Sequence, residues 1–319
     1  MSLSDIQRAA DHLLGGLPVS AVTEMKDGWF NRTFHLVLDG GKLHRVLKVG
    51  PPETAEVMRY EEGILKAEVG AMRLVASNPH IPVPGNLAED FSRSVLPFDY
   101  YFMDFFDGPT WQSRRATLGE AENNRLASEL GFITARINGF TGDSFGYFSG
   151  NQNCENWFEA FYVMCDNLFL DAERYRVGLD IGRRVLLDKL TEYRQIFAEV
   201  EVPQLVHWDL WQGNVFLSAT GEPHITGVID FERALWGDPL MEVALVSPAG
   251  ARHFLAGYGQ DLFASREARL RRVFYNIYLD LVMIIEDGPR QYDNKTSVLQ
   301  AIARLPRDLA MLMAGDFQA

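Results

Sequence analysis

His207-Trp208-Asp209-Leu210-Trp211-Gln212-Gly213-Asn214 decides how the rest of this 319-residue chain is read. The apolar pair Leu205-Val206 leads into it, and two indoles flank the acid. Such a run is either a buried turn whose Asp and Asn cap backbone groups, or a loop carrying a carboxylate and an amide to different corners of one reactive site. Further along, Ile229-Asp230-Phe231 places a second acid at the end of an apolar strand, after the turn Ala219-Thr220-Gly221-Glu222. That context favours the reactive reading. Two carboxylates and an amide oxygen suit Mg2+, a hard cation that takes oxygen ligands in octahedral geometry. Asp230 and Asn214 are the candidate metal ligands, and Asp209 is left to accept the proton of an attacking hydroxyl.

Toward the N-terminus, Lys48 sits mid-strand in Val46-Leu47-Lys48-Val49, where an ammonium is costly to bury without a partner. Glu61 and Glu68 share one face of the expected helix that follows. Glu68 is favoured by its distance from the loop Ile81-Pro82-Val83-Pro84, with Glu61 and Glu62 as alternatives. Before the strand pair, Asp27-Gly28-Trp29-Phe30-Asn31-Arg32-Thr33 lies where backbone N–H groups could cradle a phosphate, although it carries a single glycine.

Around these residues the periodicity predicts a helix over 4–14, with Ser4 and Gln7 at capping-box spacing. It predicts a hairpin of 33–38 and 43–49 about Asp39-Gly40-Gly41, a helical stretch over 55–75, and an aromatic strand over 98–106. Asp107-Gly108-Pro109 is the best candidate boundary. Beyond it, helices are expected over 126–137, 156–170, 182–200 and 266–286, with short strands over 215–217 and 225–231. The fold class is therefore α+β: a β-rich lobe with one main helix over 1–106, then a larger, mostly helical lobe over 107–319.

Composition narrows the function. With 47% hydrophobic and 23% charged residues the chain is ordinary globular protein. Its net charge of −13 argues against nucleic acid as main partner, because phosphate contacts need clustered Lys and Arg. No apolar run reaches the roughly 18 residues that span a bilayer, and the N-terminus lacks the features of a secretory signal. Two cysteines, Cys154 and Cys165, suggest neither a disulfide framework nor a zinc site and fit a reducing cytoplasm. Oligomeric state is not legible.

HWDLWQGN fits the H-x-D-L-x-x-x-N loop of kinases. Lys48, a helix glutamate, that loop and Ile229-Asp230-Phe231, in this order, resemble the aminoglycoside phosphotransferase family, which includes choline-kinase-like and fructosamine-kinase-like enzymes. The resemblance covers roughly residues 20–245. Trp208 stands where protein kinases carry Arg, Glu232 rather than Gly follows Asp230-Phe231, and Trp236-Gly237-Asp238-Pro239-Leu240 resembles the G-D-P element of small-molecule kinases. Glu242 stands where the family commonly has Asp.

The resemblance implies a bilobal protein-kinase-like fold that binds ATP and Mg2+. Residues 101–107 would be the hinge, with the Asp104 carbonyl and the Phe106 N–H as adenine contacts. Lys48, oriented by Glu68, would position the nucleotide, Asn214 and Asp230 would hold the metal, and Asp209 would act as base. His207 and Leu210 are expected to anchor the loop, and Trp211 either to wall the acceptor pocket or, the favoured reading, to pack against a helix. The expected function is ATP-dependent phosphorylation of a hydroxyl on a small molecule, such as an amino sugar, an aminoglycoside-like compound or an amino alcohol. The alternatives are a nucleotide-binding pseudokinase and a protein kinase. On the 266–286 helix and just beyond, Tyr275, Tyr278, Asp280, Glu286, Asp287 and Tyr292 read either as a pocket for an amine or as a solvated face.

Overall fold

Alternation builds the N-terminal sheet. In β2 (Arg32–Leu38) and β3 (Leu43–Val49), Phe34, Leu36, Leu38, Leu47 and Val49 point to one side and pack on Ile6, Ala9 and Ala10 of helix α1 (Leu3–Leu13). Thr33, His35, Val46 and Lys48 alternate to the opposite face. The computed structural model of the chain describes residues 1–25, 31–150, 153–245 and 248–315, so residues 27–30 of the expected phosphate-covering stretch lie outside the described residues.

The sheet is antiparallel with strand order β1-β2-β3-β5-β4, adding β1 (Val19–Met25), β4 (Ala88–Asp90) and β5 (Tyr100–Asp104). Lys48 lies opposite Thr33 on one side and Tyr101 on the other. Helix α2 (Ile64–Val75) follows β3 in the chain, and α3 (Trp111–Arg114) follows β5. The larger helical part contains α4 (Glu120–Ile137), β6 (Gly146–Tyr147), α5 (Trp157–Tyr175), α6 (Arg183–Glu192) and β7 (Gln204–Val206). The ribbon β8 (Val215–Leu217) and β9 (Ile225–Val228) comes next, then β10 (Leu235–Gly237), α7 (Pro248–Tyr258), α8 (Arg266–Arg290) and α9 (Thr296–Ala314). β6, β10 and β7 form a three-stranded sheet in that order.

Several expectations change. The capping box of α1 is Ser2 with Asp5, not Ser4 with Gln7. Residues 55–63 are not helical: Gly63 at φ 75° blocks continuation, and Arg59–Glu61 is one 3-10 turn. α8 runs to Arg290, beyond the expected end at 286.

The chain divides into two units, each drawn from several segments. One comprises Met1–Glu56, Leu65–Ala116 and Gln212–Glu232; the other comprises Val57–Ile64, Thr117–Trp211 and Arg233–Ala319. The first unit thus extends past the Gly108-Pro109 pair. The reason is local: a Cβ on Gly108 would lie 1.8 Å from the Leu217 carbonyl oxygen, and Leu217 N–H donates to the Pro109 carbonyl at 2.9 Å. Gly108 and Pro109 thus stay docked on β8.

Candidate active site

In the first unit, Lys48 is 7% exposed and surrounded by acids. Its Nζ donates to both Glu68 carboxylate oxygens (2.9 and 2.8 Å), to Asp230 Oδ1 (2.6 Å) and to Glu232 Oε2 (3.2 Å). Burial alone would pull the Lys48 pKa down, but the Asp230, Glu68 and Glu232 carboxylates outweigh it and hold the ammonium well above its ordinary value. Glu68 is pushed up, first by burial and then by the two neighbouring acids, with Lys48 opposing. The two shifts pull in opposite senses. Lys48 answers to three carboxylates and stays charged, whereas Glu68 has one ammonium to share and is pushed toward its protonated form.

Among the three acids proposed to pair with Lys48, it is Glu68, one α2 turn from the helix start, that reaches it. Glu61 belongs to the other unit, where it accepts from Met58 N–H and pairs with Arg290. The ribbon β8–β9 brings Asn214 beside the segment that follows β9 and carries Asp230, since Ile229 N–H donates to the Asn214 carbonyl at 3.1 Å. Asn214 is buried and Asp230 adopts φ 72°. Carboxylate oxygens of Glu68, Asp230 and Glu232 lie within 4.8 Å of one another.

Glu232, which in the sequence merely replaces a glycine after Asp230-Phe231, belongs to this cluster. It also accepts from Asn31 Nδ2 at 2.7 Å, which ties the end of the expected phosphate-covering stretch to this cluster. At the end of β5, the Asp104 side chain pairs with Arg45 (2.8 Å) and its N–H donates to the Gly85 carbonyl. The Phe106 ring packs on Phe216, 5.3 Å between centroids, and closes over Gly227, where a Cβ would meet it at 2.5 Å.

In the second unit, the start of the quoted loop hangs from Glu242. This carboxylate accepts from the N–H groups of His207 (2.6 Å) and Trp208 (3.1 Å). Burial pushes its pKa up to about 7, and the two N–H donors oppose that rise. His207 is buried, and its Nδ1 accepts from Asp209 N–H at 3.1 Å, so it anchors main chain as expected. Trp208 is fully buried at φ 57°, against Tyr278 and Tyr147. Asp209 keeps 15% side-chain exposure, with Arg233 Nη1 3.9 Å from its Oδ1. Arg233 is in turn held by Glu286 at 2.7 Å.

Trp211 is 41% exposed, which corrects the expectation that it packs against a helix. The acidic and aromatic groups of α8 are neither an open amine pocket nor a solvated face. Asp280 is bound by Arg304, Glu286 by Arg233, and Asp287 by Lys295. Tyr275 donates to Asp238 at 2.7 Å, the Tyr278 and Tyr147 hydroxyls meet at 2.6 Å, and Tyr292 donates to Glu286. The helix periodicity hid this because the partners come from distant segments. Both cysteines are free, and among the described residues no helix is long and apolar enough to cross a membrane.

A buried pair of a sheet lysine and a helix glutamate, an acid after a β-ribbon, and an HxDxxxxN loop ahead of a helical region define the class of phosphotransferases with a protein-kinase-like fold. The chain belongs to the phosphotransferase enzyme family, whose description matches residues 21–273. Over 108 residues it is 31% identical to a Staphylococcus aureus (strain NCTC 8325 / PS 47) protein named "Probable ketoamine kinase", a match spanning 32% of this chain and 36% of that one. A Synechocystis (strain ATCC 27184 / PCC 6803 / Kazusa) protein of the same name is 23% identical over 220 residues, 67% of this chain and 70% of that one. The chain thus spans about a third of the first relative's length. Among solved structures, the streptomycin–ATP–APH(2'')-IIa ternary complex superposes with TM-score 0.62 at 17% identity, covering 98% of both chains. A thermostable mutant of aminoglycoside phosphotransferase APH(4)-Ia, in ternary complex with AMP-PNP and hygromycin B, gives 0.65 at 22% identity, covering 98% of this chain and 99% of that one. At these identities the likeness concerns the fold.

Proposed function

We propose that this protein transfers the γ-phosphoryl group of ATP to a hydroxyl of a small sugar-derived molecule, in a Mg2+-dependent reaction. The observation that carries the reading is Lys48 among Glu68, Asp230 and Glu232. Three carboxylates against one ammonium leave an excess of negative charge that a divalent cation would offset. Buried acids without such compensation are costly, so the donor set fits a hard, oxygen-seeking ion.

Asn214 and Asp230 are the proposed ligands, with Glu232 the neighbouring acid. A Mg2+ held there would supply positive charge to offset the charge that develops on the transferred phosphoryl group. Lys48, braced by Glu68, contacts the nucleotide phosphates, and the main chain at Asp104 and Phe106 meets the base. Asp209 orients the acceptor hydroxyl and takes its proton as the new P–O bond forms and the bond to the ADP oxygen breaks. Catalysis of this kind is largely positioning. The name shared by the two curated relatives supports a ketoamine or amino-sugar acceptor.

The test is Asp209→Ala against a panel of ketoamines, amino sugars, choline and neutral sugars. The variant is expected to keep its thermal stabilisation by Mg-ATP while transfer falls at least a thousandfold, about 4 kcal/mol of barrier. Transfer at the wild-type rate would remove Asp209 as the base. Absence of any nucleotide-dependent stabilisation in the wild-type protein would remove the kinase reading itself.

A further inference from the structure

Helix α9 is apolar on two faces. Val298, Ala301, Leu305 and Leu312 form the buried seam, and the helix packs on α8. A second run, Leu299, Ile302, Ala303, Pro306, Ala310 and Met313, is exposed, with Leu299 at 62%, Ile302 at 45% and Met313 at 44%. At 3.6 residues per turn these six positions fall within an arc of roughly 100°. Gln300, Arg304 and Arg307 occupy the strip beside it, and Arg304 is engaged by Asp280 at 3.1 Å. Single apolar side chains are ordinary on a protein surface, but a contiguous stripe of them marks a contact surface. α9 also lies beyond residues 21–273, the stretch that the family description matches.

We propose that this stripe is the contact between two copies of the chain, α9 packing antiparallel on α9 about a two-fold axis at Pro306. Charge, shape and area select that occupant. The stripe itself carries no charge, and Arg304 and Arg307 lie outside it, so it offers nothing to an acidic or a basic partner and brings no like charges face to face. A two-fold contact requires a surface that complements itself. With the axis at Pro306, Leu299 of one copy meets Met313 of the second, and Ile302 meets Ala310. The middle of the stripe is small (Ala303, Pro306, Ala310), which lets two helix axes approach to about 8 Å, and its ends are large enough to fill the space beyond. The area then fixes the strength. A helix of 19 residues is about 28 Å long, and one pair of that length buries on the order of 700 Å2, against about 1,200 Å2 for a stable interface. The dimer is therefore weak, half-formed on the order of 100 µM. Each copy carries a net charge of −13, so association works against repulsion and strengthens with salt.

Sedimentation velocity on the full chain tests this, from about 5 µM to about 500 µM, a range that brackets the expected half-dimer point. The wild-type coefficient should rise from the monomer value toward the dimer value with concentration, and rise more steeply in high salt. Ile302→Arg sets a charge inside the contact and should weaken the dimer about tenfold or more. Gln300→Arg, the same charge on the polar strip, should leave it within about twofold. Thermal unfolding of both variants should match wild type, since both positions are exposed. A short bismaleimide in a Cys154→Ser background reads the orientation. Leu299→Cys mixed with Met313→Cys should give a cross-linked dimer, whereas Leu299→Cys alone should not, its two copies lying roughly 21 Å apart along the helices. A wild-type chain that stays monomeric throughout, a dimer that Ile302→Arg leaves intact, or cross-linking of Leu299→Cys to itself overturns the proposal. So does salt-sensitive binding of the monomer to phosphatidylglycerol vesicles, which would assign the stripe to a lipid surface.

Discussion

Trp208 and Asp230 hold left-handed backbone, at φ 57° and 72°, a conformation that costs a side-chain-bearing residue on the order of 1–3 kcal/mol. Trp208 immediately precedes the proposed base Asp209, and Asp230 is itself a proposed metal ligand. Around Trp208 the restraint is Glu242, which accepts the N–H groups of both His207 and Trp208. Removing it leaves buried donors without an acceptor, at about 1–3 kcal/mol each. Glu242→Ala should therefore lower the unfolding free energy by at least that amount and slow transfer more than it weakens nucleotide binding.

The wild-type residue also has a pH signature. Its folded-state pKa is pushed up to about 7 from the ordinary 4.5, so protonation favours the folded protein. The stability of wild type relative to Glu242→Gln should be highest near pH 4.5 and should fall as pH rises to about 7. Chemical denaturation of both proteins at several pH values checks this; a difference that grew with pH would mean that the two N–H donors outweigh burial.

At the scale of elements, two helices meet where side chains are missing. A Cβ on Gly131 of α4 would lie 2.0 Å from the Phe254 carbonyl oxygen, and one on Gly257 of α7 would lie 1.7 Å from that of Ser128. Ser128 Oγ donates to the His253 carbonyl at 2.9 Å, which locks the crossing. Gly257→Ala should force the helices apart and lose about 1–3 kcal/mol or more, against the small gain alanine normally gives within a helix. A thermal melt at or above the wild-type midpoint would contradict that close approach.

Neither glycine announces itself in the sequence, because what it meets lies far along the chain. The same limit divides what was legible from what was not. The β2–β3 hairpin, the ribbon before Asp230 and the core stripe of α8 follow from local alternation or helical spacing, and each formed near its expected position. β1, an edge strand with little buried on either face, has no such period and was not anticipated. At the site, Lys48 and Glu68 could be paired because one helix follows one strand. The third and fourth members of the cluster, Asp230 and Glu232, reach Lys48 across 182 and 184 residues, beyond any periodicity. The roles of Glu232 and Glu242, and the internal pairing of the α8 acids, are long-range in the same sense.

The largest consequence of that long-range pairing concerns the molecule as a folding entity. The first unit takes β8, β9 and Asp230 from residues Gln212–Glu232, which follow a long excursion through the second. A fragment of residues 1–116 contains the five-stranded sheet, α1 and α2, and by sequence alone resembles a complete lobe. It lacks the Leu217 edge on which Gly108 and Pro109 rest, the Val228 N–H that donates to the Pro82 carbonyl at 2.7 Å, and two of the three acids around Lys48. Lys48 and Glu68 alone would remain as a buried pair with much of its hydrogen bonding gone, which seldom recovers its desolvation cost. The fragment is accordingly expected to show no cooperative thermal transition, whereas residues 1–116 joined by a short flexible linker to 212–232 should regain one, with Mg2+ raising its midpoint. Circular dichroism melts of the two polypeptides decide the matter. A sharp transition in the shorter fragment would mean that the sheet and α1 suffice, and that the Lys48 cluster is assembled on a lobe already folded.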